Sequence, residues 1–200
     1  MQGLVTPLAI VQAGDPVLRR PTRTLRPNEI RSREIRELID QMKEIMHAAP
    51  GVGLAAPQIG QGIQLAVIED RPEYTRDWTP QQLADRERKP VPFHVIINPK
   101  ISMLAEDRVE FFEGCLSLSN LMALVPRAKT VRVDCLDETG EPKVIEASGW
   151  YARILQHEID HLGGGMYVDH MYPRTLMTVE NYTNHWRTMP ISEIKGALLK

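Results

Sequence analysis

Two cysteines in 200 residues, Cys115 and Cys135, are too few for a disulfide framework. They point to a reducing compartment rather than to secretion. No run of eighteen apolar residues occurs, which leaves no candidate for a membrane-spanning helix. The stretch from Met1 to Ile10 lacks the basic start and long apolar core of a signal peptide, and it is not the Arg- and Ser-rich amphipath of a transit peptide. A mature form trimmed of its targeting segment has the same appearance. Charge of one sign is also missing: a net charge of −2 and an isoelectric point near 6.3 give no bulk affinity for nucleic acid or an anionic membrane. Repeats, heptads and low-complexity tracts are absent. What remains is an ordinary globular composition, 42% hydrophobic and 25% charged. A chain of this length forms one domain that buries a core without staples.

Along the chain, Pro16, Pro21 and Pro27 make residues 13–27 an extended arm. From Asn28 to Ala49, Ile30, Ile35, Leu38, Ile39, Met42, Ile45 and Met46 recur with helical spacing, which predicts an amphipathic helix ended by Pro50-Gly51. Residues 51–60 are glycine-rich and apolar and are expected as a tightly packed loop. Strands are expected at 64–69, 94–98 (closed by Asn98-Pro99), 109–112, 123–125, 130–136 and 143–147, the last two forming a hairpin across Asp137–Gly140. Residues 70–92 read as a surface excursion. Ser148 is a candidate N-cap for a helix over 149–162, stopped by Gly163-Gly164-Gly165. The tail from Asp169 is polar and mixed, with a short final helix from Ser192.

Chemistry concentrates in that second helix. Gln156-His157-Glu158-Ile159-Asp160-His161 contains two histidines four residues apart, which lie on one helix face and can share a divalent metal. Glu158 then sits within reach of water at that metal. A catalytic site needs a third protein ligand, and His47, His94, His170, His185, a carboxylate or a cysteine could supply it. Cys115 lies in the bend Glu113-Gly114-Cys115-Leu116-Ser117, whereas Cys135 sits in a regularly alternating strand and reads as a core thiol. The glycines of 51–60 match neither the dinucleotide nor the P-loop spacing. Gln58 is the polar side chain of that apolar segment, either bonded structurally or presented to a substrate. The position six residues after His161 is Tyr167, so the three-histidine arrangement of metzincins fails. A peptidase with a downstream glutamate ligand, or a non-catalytic closed metal site, remains open at this point.

Three segments in order, Gly51-Val52-Gly53-Leu54-Ala55-Ala56-Pro57-Gln58, Glu113-Gly114-Cys115-Leu116-Ser117 and Gln156–His161, resemble the peptide deformylase family. The resemblance runs from about Gly14 to Asp169, with 170–200 as a C-terminal extension of a single catalytic domain. It implies an α+β fold with the H-E-x-x-H helix packed centrally against antiparallel sheets, behind an N-terminal amphipathic helix. It implies removal of the N-formyl group from the formylmethionine of nascent polypeptides. It assigns Cys115, His157 and His161 to the metal, Glu158 to proton transfer, and Gln58 with the Leu116 N–H to the oxyanion. Val52, Gly53, Leu54, Gly114 and Arg127 fall at substrate-binding positions, and Phe111, Glu113 and the first turn of the helix over 149–162 are expected as walls of an apolar pocket for the methionine. Fe²⁺ is the implied metal, with Zn²⁺, Ni²⁺ or Co²⁺ as substitutes. The implied partners are N-formylmethionyl peptides and, transiently, the ribosome, with no membrane or specific nucleic acid, in a monomer or homodimer. The resemblance places the chain in the bacterial cytoplasm, or in a mitochondrion or plastid if it is a mature organelle form.

Overall fold

A computed structural model describes residues 8–200; the first seven residues of the stretch searched for targeting signals lie outside it. The proline-rich arm carries a helical turn of its own. The Asp15 side chain accepts from the Val17 N–H at 2.9 Å, starts a 3-10 turn at Pro16–Arg19 and drives Leu18 fully into the core. The helix expected over 28–49 is two elements, α1 (Pro27–Ile30) and α2 (Arg33–Ala48). The break falls before α2 because the Ser32 hydroxyl accepts from the Ile35 N–H at 3.3 Å and restarts the helix there. Ile35, Ile39, Met42 and Met46 then form its buried stripe.

The glycine-rich segment is not a loop throughout. It forms β1 (Gly53–Ala55) and a 3-10 turn at Ala56–Ile59. β2 (Leu65–Asp70) follows, and the excursion contains a 3-10 turn at Pro72–Thr75 and α3 (Pro80–Asp85). β3 runs from Val91 to Met103, past the expected stop at Asn98-Pro99. Asn98 adopts φ 51° and the register shifts between Ile97 and Lys100, so the proline sits in a bulge rather than at an end. The Asn98 side chain accepts from the Leu25 N–H and donates to the Leu25 carbonyl, both at 2.8 Å, and so ties the arm to the bulge.

β4 (Arg108–Cys115) and β5 (Leu118–Ala128) are both longer than expected, and β6 (Thr130–Leu136) and β7 (Pro142–Ser148) form the expected hairpin. α4 (Gly149–Leu162) occupies the expected span, although the Ser148 side chain makes no capping bond. The tail is more structured than its polarity suggests. It holds β8 (Met177–Thr178), α5 (Val179–Asn181) running into a π-helical turn at Tyr182–Trp186, and α6 (Ile191–Leu198).

The strands build two antiparallel sheets, ordered β1-β2-β3-β6-β7 and β4-β5-β8, in an α+β architecture. Alternation along the larger sheet sends Leu65, Val67, Val95 and Ile97 toward α2, and Ile68, Ile96, Val131 and Val133 toward Ala152 and Leu155 of α4. α4 is thereby buried between the larger sheet and the smaller one. β1 and β4 are the outer strands of their sheets and line opposite sides of one cleft.

Candidate active site

The cleft encloses about 340 Å³. Its floor is the C-terminal half of α4, where helical spacing puts His157 and His161 on one face with ring centres 5.0 Å apart. Both face Cys115, at the end of β4, where the pairing with β5 shifts register after Gly114. Cys115 Sγ lies 3.3 Å from His161 Nε2, and one donor atom from each of the three residues lies within 4.8 Å of the others. Cys135 faces the core below the sheet, where burial pushes its thiol up to about 11. His47 pairs with Glu69, His94 with the Tyr151 hydroxyl at 2.9 Å, and His170 faces Asp160 at 3.4 Å; none joins the cluster, and neither does His185.

A buried layer of charge holds this cluster. His157 Nδ1 donates to Glu113 Oε2 at 2.9 Å, which leaves Nε2 for the cluster. Arg127 grips the same carboxylate through Nε at 2.9 Å and Nη2 at 3.0 Å, and Arg153 Nη1 reaches it at 2.5 Å. Burial works against the Glu113 anion, but His157 and Arg127 outweigh it and hold the carboxyl far below the usual range. Burial likewise opposes charge on His157, yet Cys115 and Glu113 raise its proton affinity well above normal. A thiol and two imidazoles are a donor set suited to zinc or ferrous iron. His161 Nδ1 and Glu158 Oε2 are buried with no hydrogen-bond partner among the described residues. These features fit a divalent cation held by Cys115, His157 and His161.

Glu158 lies beside them, 3% exposed, and burial pushes its carboxyl up to about 7. Gly53 makes room for it, since a Cβ at that position would stand 2.3 Å from Glu158 Oε1. Gln58 is oriented by its own turn: Oε1 accepts from the Ala55 N–H at 2.8 Å. That bond aims Nε2 toward Cys115 Sγ at 3.5 Å and Ser117 Oγ at 3.4 Å.

Val52, Gly53, Glu113, Gly114 and Leu116 line the cleft. Three other residues expected at the substrate stand off its wall. Arg127 is 4% exposed behind His157, paired with Glu113 and Asp160. Leu54 faces the α2 core. Phe111 lies between the guanidinium groups of Arg86 and Arg153, and its neighbour Phe112 lines the cleft instead. Trp150, in the first turn of α4, lines the cleft as well, and Arg153 and Ile154 are wall residues that the sequence did not single out. Their signal was available, because they precede His157 on the same face of α4 by whole turns.

Residues 7–176 match the polypeptide deformylase family model. The chloroplastic peptide deformylase 1A of Solanum lycopersicum is 48% identical over 172 residues, covering 86% of this chain and 62% of the relative. Peptide deformylase 3 of Streptomyces avermitilis is 43% identical over 194 residues, 96% of this chain and 84% of that one. The chain thus spans about three-fifths of the tomato protein and most of the bacterial one. Among solved structures, a peptide deformylase of Acinetobacter baumannii with Met-Ala-Ser bound aligns with a TM-score of 0.73 at 30% identity, covering 83% of this chain and 99% of that one. A Synechococcus elongatus peptide deformylase in complex with actinonin aligns at 0.68 and 38% identity, covering 84% and 81%. With three ordered motifs gathered in one cleft and relatives matched along most of its length, the chain belongs to the polypeptide deformylase family.

Proposed function

We propose that this chain hydrolyses the N-formyl group from the N-terminal formylmethionine of nascent polypeptides and releases formate. The observation that carries the proposal is the convergence of Gln58, Cys115, His157, Glu158 and His161 in a cleft bounded by two outer strands. An extended peptide can lie between β1 and β4, bonded to the backbone of Val52, Gly53 and Gly114. Trp150 and Ile154 then offer an apolar wall to the methionine side chain, and the bound Met-Ala-Ser of the Acinetobacter relative supports that kind of occupant.

Cys115, His157 and His161 would hold one divalent ion, Fe²⁺ in our reading, with Zn²⁺, Ni²⁺ or Co²⁺ able to replace it. Held there, such an ion would supply Lewis acidity and make a nearby water easier to deprotonate. Glu113 fixes the His157 ring so that Nε2 points inward. A carboxyl near 7 suits Glu158 to take a proton from water and give it to the departing amine. The Gln58 amide and the Leu116 N–H receive the charge that grows on the formyl oxygen. Residues 14–169 form the catalytic unit in this reading, and 170–200 an extension packed on it. Transient ribosome contact, a monomeric or homodimeric state, and either a bacterial or an organelle location complete the proposal; relatives include chloroplastic, mitochondrial and bacterial proteins.

Formate release from formyl-Met-Ala-Ser tests it. The wild-type chain is expected to release formate, and Glu158→Gln to lose at least about 100-fold in kcat while keeping its metal. Cleavage of internal peptide bonds without formate would overturn the reading.

A further inference from the structure

Six side chains alternate in a stack beside the cleft: Arg153, Phe111, Arg86, Trp78, Arg88 and Trp150. Successive guanidinium-to-ring distances are 5.4, 4.7, 4.9, 4.8 and 5.0 Å. Two of the three cations carry a buried carboxylate. Arg153 meets Glu113 at 2.5 Å, and Arg88 holds Asp70 through two bonds of 2.8 Å. Arg86, in the middle, has no carboxylate partner among the described residues; its guanidinium donates to the Gln82 carbonyl at 3.4 Å. Burial works against its charge and outweighs the more distant Asp85 carboxylate, so the fold keeps a partly desolvated cation with no ion pair of its own.

Arg86 is not a loose surface arginine. The Trp150 N–H, at the start of α4, donates to the Arg86 carbonyl at 2.8 Å. Gly149 adopts φ 58°, and a Cβ there would meet Glu87 Cβ at 2.5 Å and the Arg86 carbonyl at 2.6 Å. Lys129 pairs with Glu87 at 2.9 Å. The excursion is therefore keyed onto the helix that carries the metal-binding histidines, with the guanidinium clamped between Trp78 and Phe111.

The clamped cation faces a groove of about 210 Å³ between α3 and the π-helical turn, with Arg187 on the opposite wall. Arg187 forms no ion pair among the described residues, and no acidic side chain lines the groove. The groove continues from the cleft. Val179 lines both, and Met122, on the groove wall, pairs directly with Gly114 on β4.

We propose that this groove is a subsite for the downstream part of the substrate peptide, where Arg86 and Arg187 take an acidic side chain carried a few residues after the methionine. The proposal rests on the deformylase reading. A guanidinium packed between ring faces keeps its edge free for a charge-assisted bond to a carboxylate. Continuity with the cleft favours the peptide as occupant, since a chain already held at its N-terminus meets the groove at high effective concentration.

Steady-state formate release separates the possibilities. The substrates are formyl-Met-Ala-Ser and two longer versions of it, extended with glutamates or with lysines. The glutamate peptide is expected to have a KM roughly three- to ten-fold below that of the lysine peptide, with similar kcat. Arg86→Gln should bring that ratio toward one, and Arg187→Gln, on the opposite wall, should do so in part even if the first variant folds poorly. Equal KM values in the wild type overturn the proposal, including where the groove retains RNA or another anion instead. A ratio unchanged in both variants also overturns it. Absence of formate from all three peptides, formyl-Met-Ala-Ser included, marks failure of the deformylase reading itself and takes the groove with it.

Discussion

Gly53 has space for a hydrogen and nothing larger, because Glu158 Oε1 would lie 2.3 Å from any Cβ. The neighbour that must yield is Glu158, the proposed proton carrier. Gly53→Ala is therefore expected to displace the Glu158 carboxylate while leaving Cys115, His157 and His161 in place. A shift of about 1 Å in a catalytic group can cost on the order of 100-fold in rate. Formate release should fall by that order with the metal content unchanged; retention of full activity would show that Glu158 relaxes without consequence. Residue identity also explains why the site could be read before the fold. Cysteine, histidine, glutamate and glutamine carry chemistry in their side chains, and here they sit in three short motifs. The supporting residues were less visible. Glu113 was expected at the substrate, and it does line the cleft, but its carboxylate also orients His157 and is shared by Arg127 and Arg153. Such roles depend on what lies behind a side chain, which spacing along one segment does not report.

Elements were legible where one periodicity held from end to end. α4 spans the expected residues, and the β6-β7 hairpin pairs as its alternation implies. They were misjudged where a tertiary contact overrides a local signal. Asn98-Pro99 is a chain-breaking pair, yet β3 passes through it because the Asn98 side chain replaces the missing ladder bonds with two to Leu25. In the same way Ser32 divides a stripe that apolar spacing alone treats as continuous. The bulge can be tested. Asn98→Ala removes two partly buried hydrogen bonds and leaves a residue with a Cβ at φ 51°. At about 1 kcal/mol for each bond and about 1 for the backbone, unfolding stability should drop by about 2–3 kcal/mol. Urea unfolding measures this directly, and a midpoint within error of the wild type would mean that the bulge forms without the side chain.

At the scale of the molecule, the tail reads as polar because its apolar residues are sparse, and their partners lie on strands far back in the sequence. Ile194 of α6 is 1% exposed against Phe112 and Leu124, and Trp186, Met189 and Leu198 pack around the same cluster. Lys195 Nζ reaches both oxygens of Glu110 on β4, at 2.8 and 2.6 Å, and the Tyr172 hydroxyl donates to the same carboxylate at 2.5 Å. The tail thus braces the outer face of the smaller sheet, whose inner end delivers Cys115. Removing 191–200 withdraws a fully buried isoleucine, of order 1.5–3 kcal/mol. It also removes an ion pair of up to about 1 kcal/mol after solvent screening. For a domain of this size each kcal/mol moves Tm by about 2–4 °C, so the truncated chain should melt roughly 10 °C lower. None of the removed residues reaches the cleft, so kcat for formyl-Met-Ala-Ser well below the new Tm should stay within a factor of about two. Thermal unfolding and formate release on the same preparation separate the two effects. An unchanged Tm would show that α6 does not brace the sheet, and a collapse of kcat at 15 °C with the fold intact would place the tail in the reaction rather than behind it.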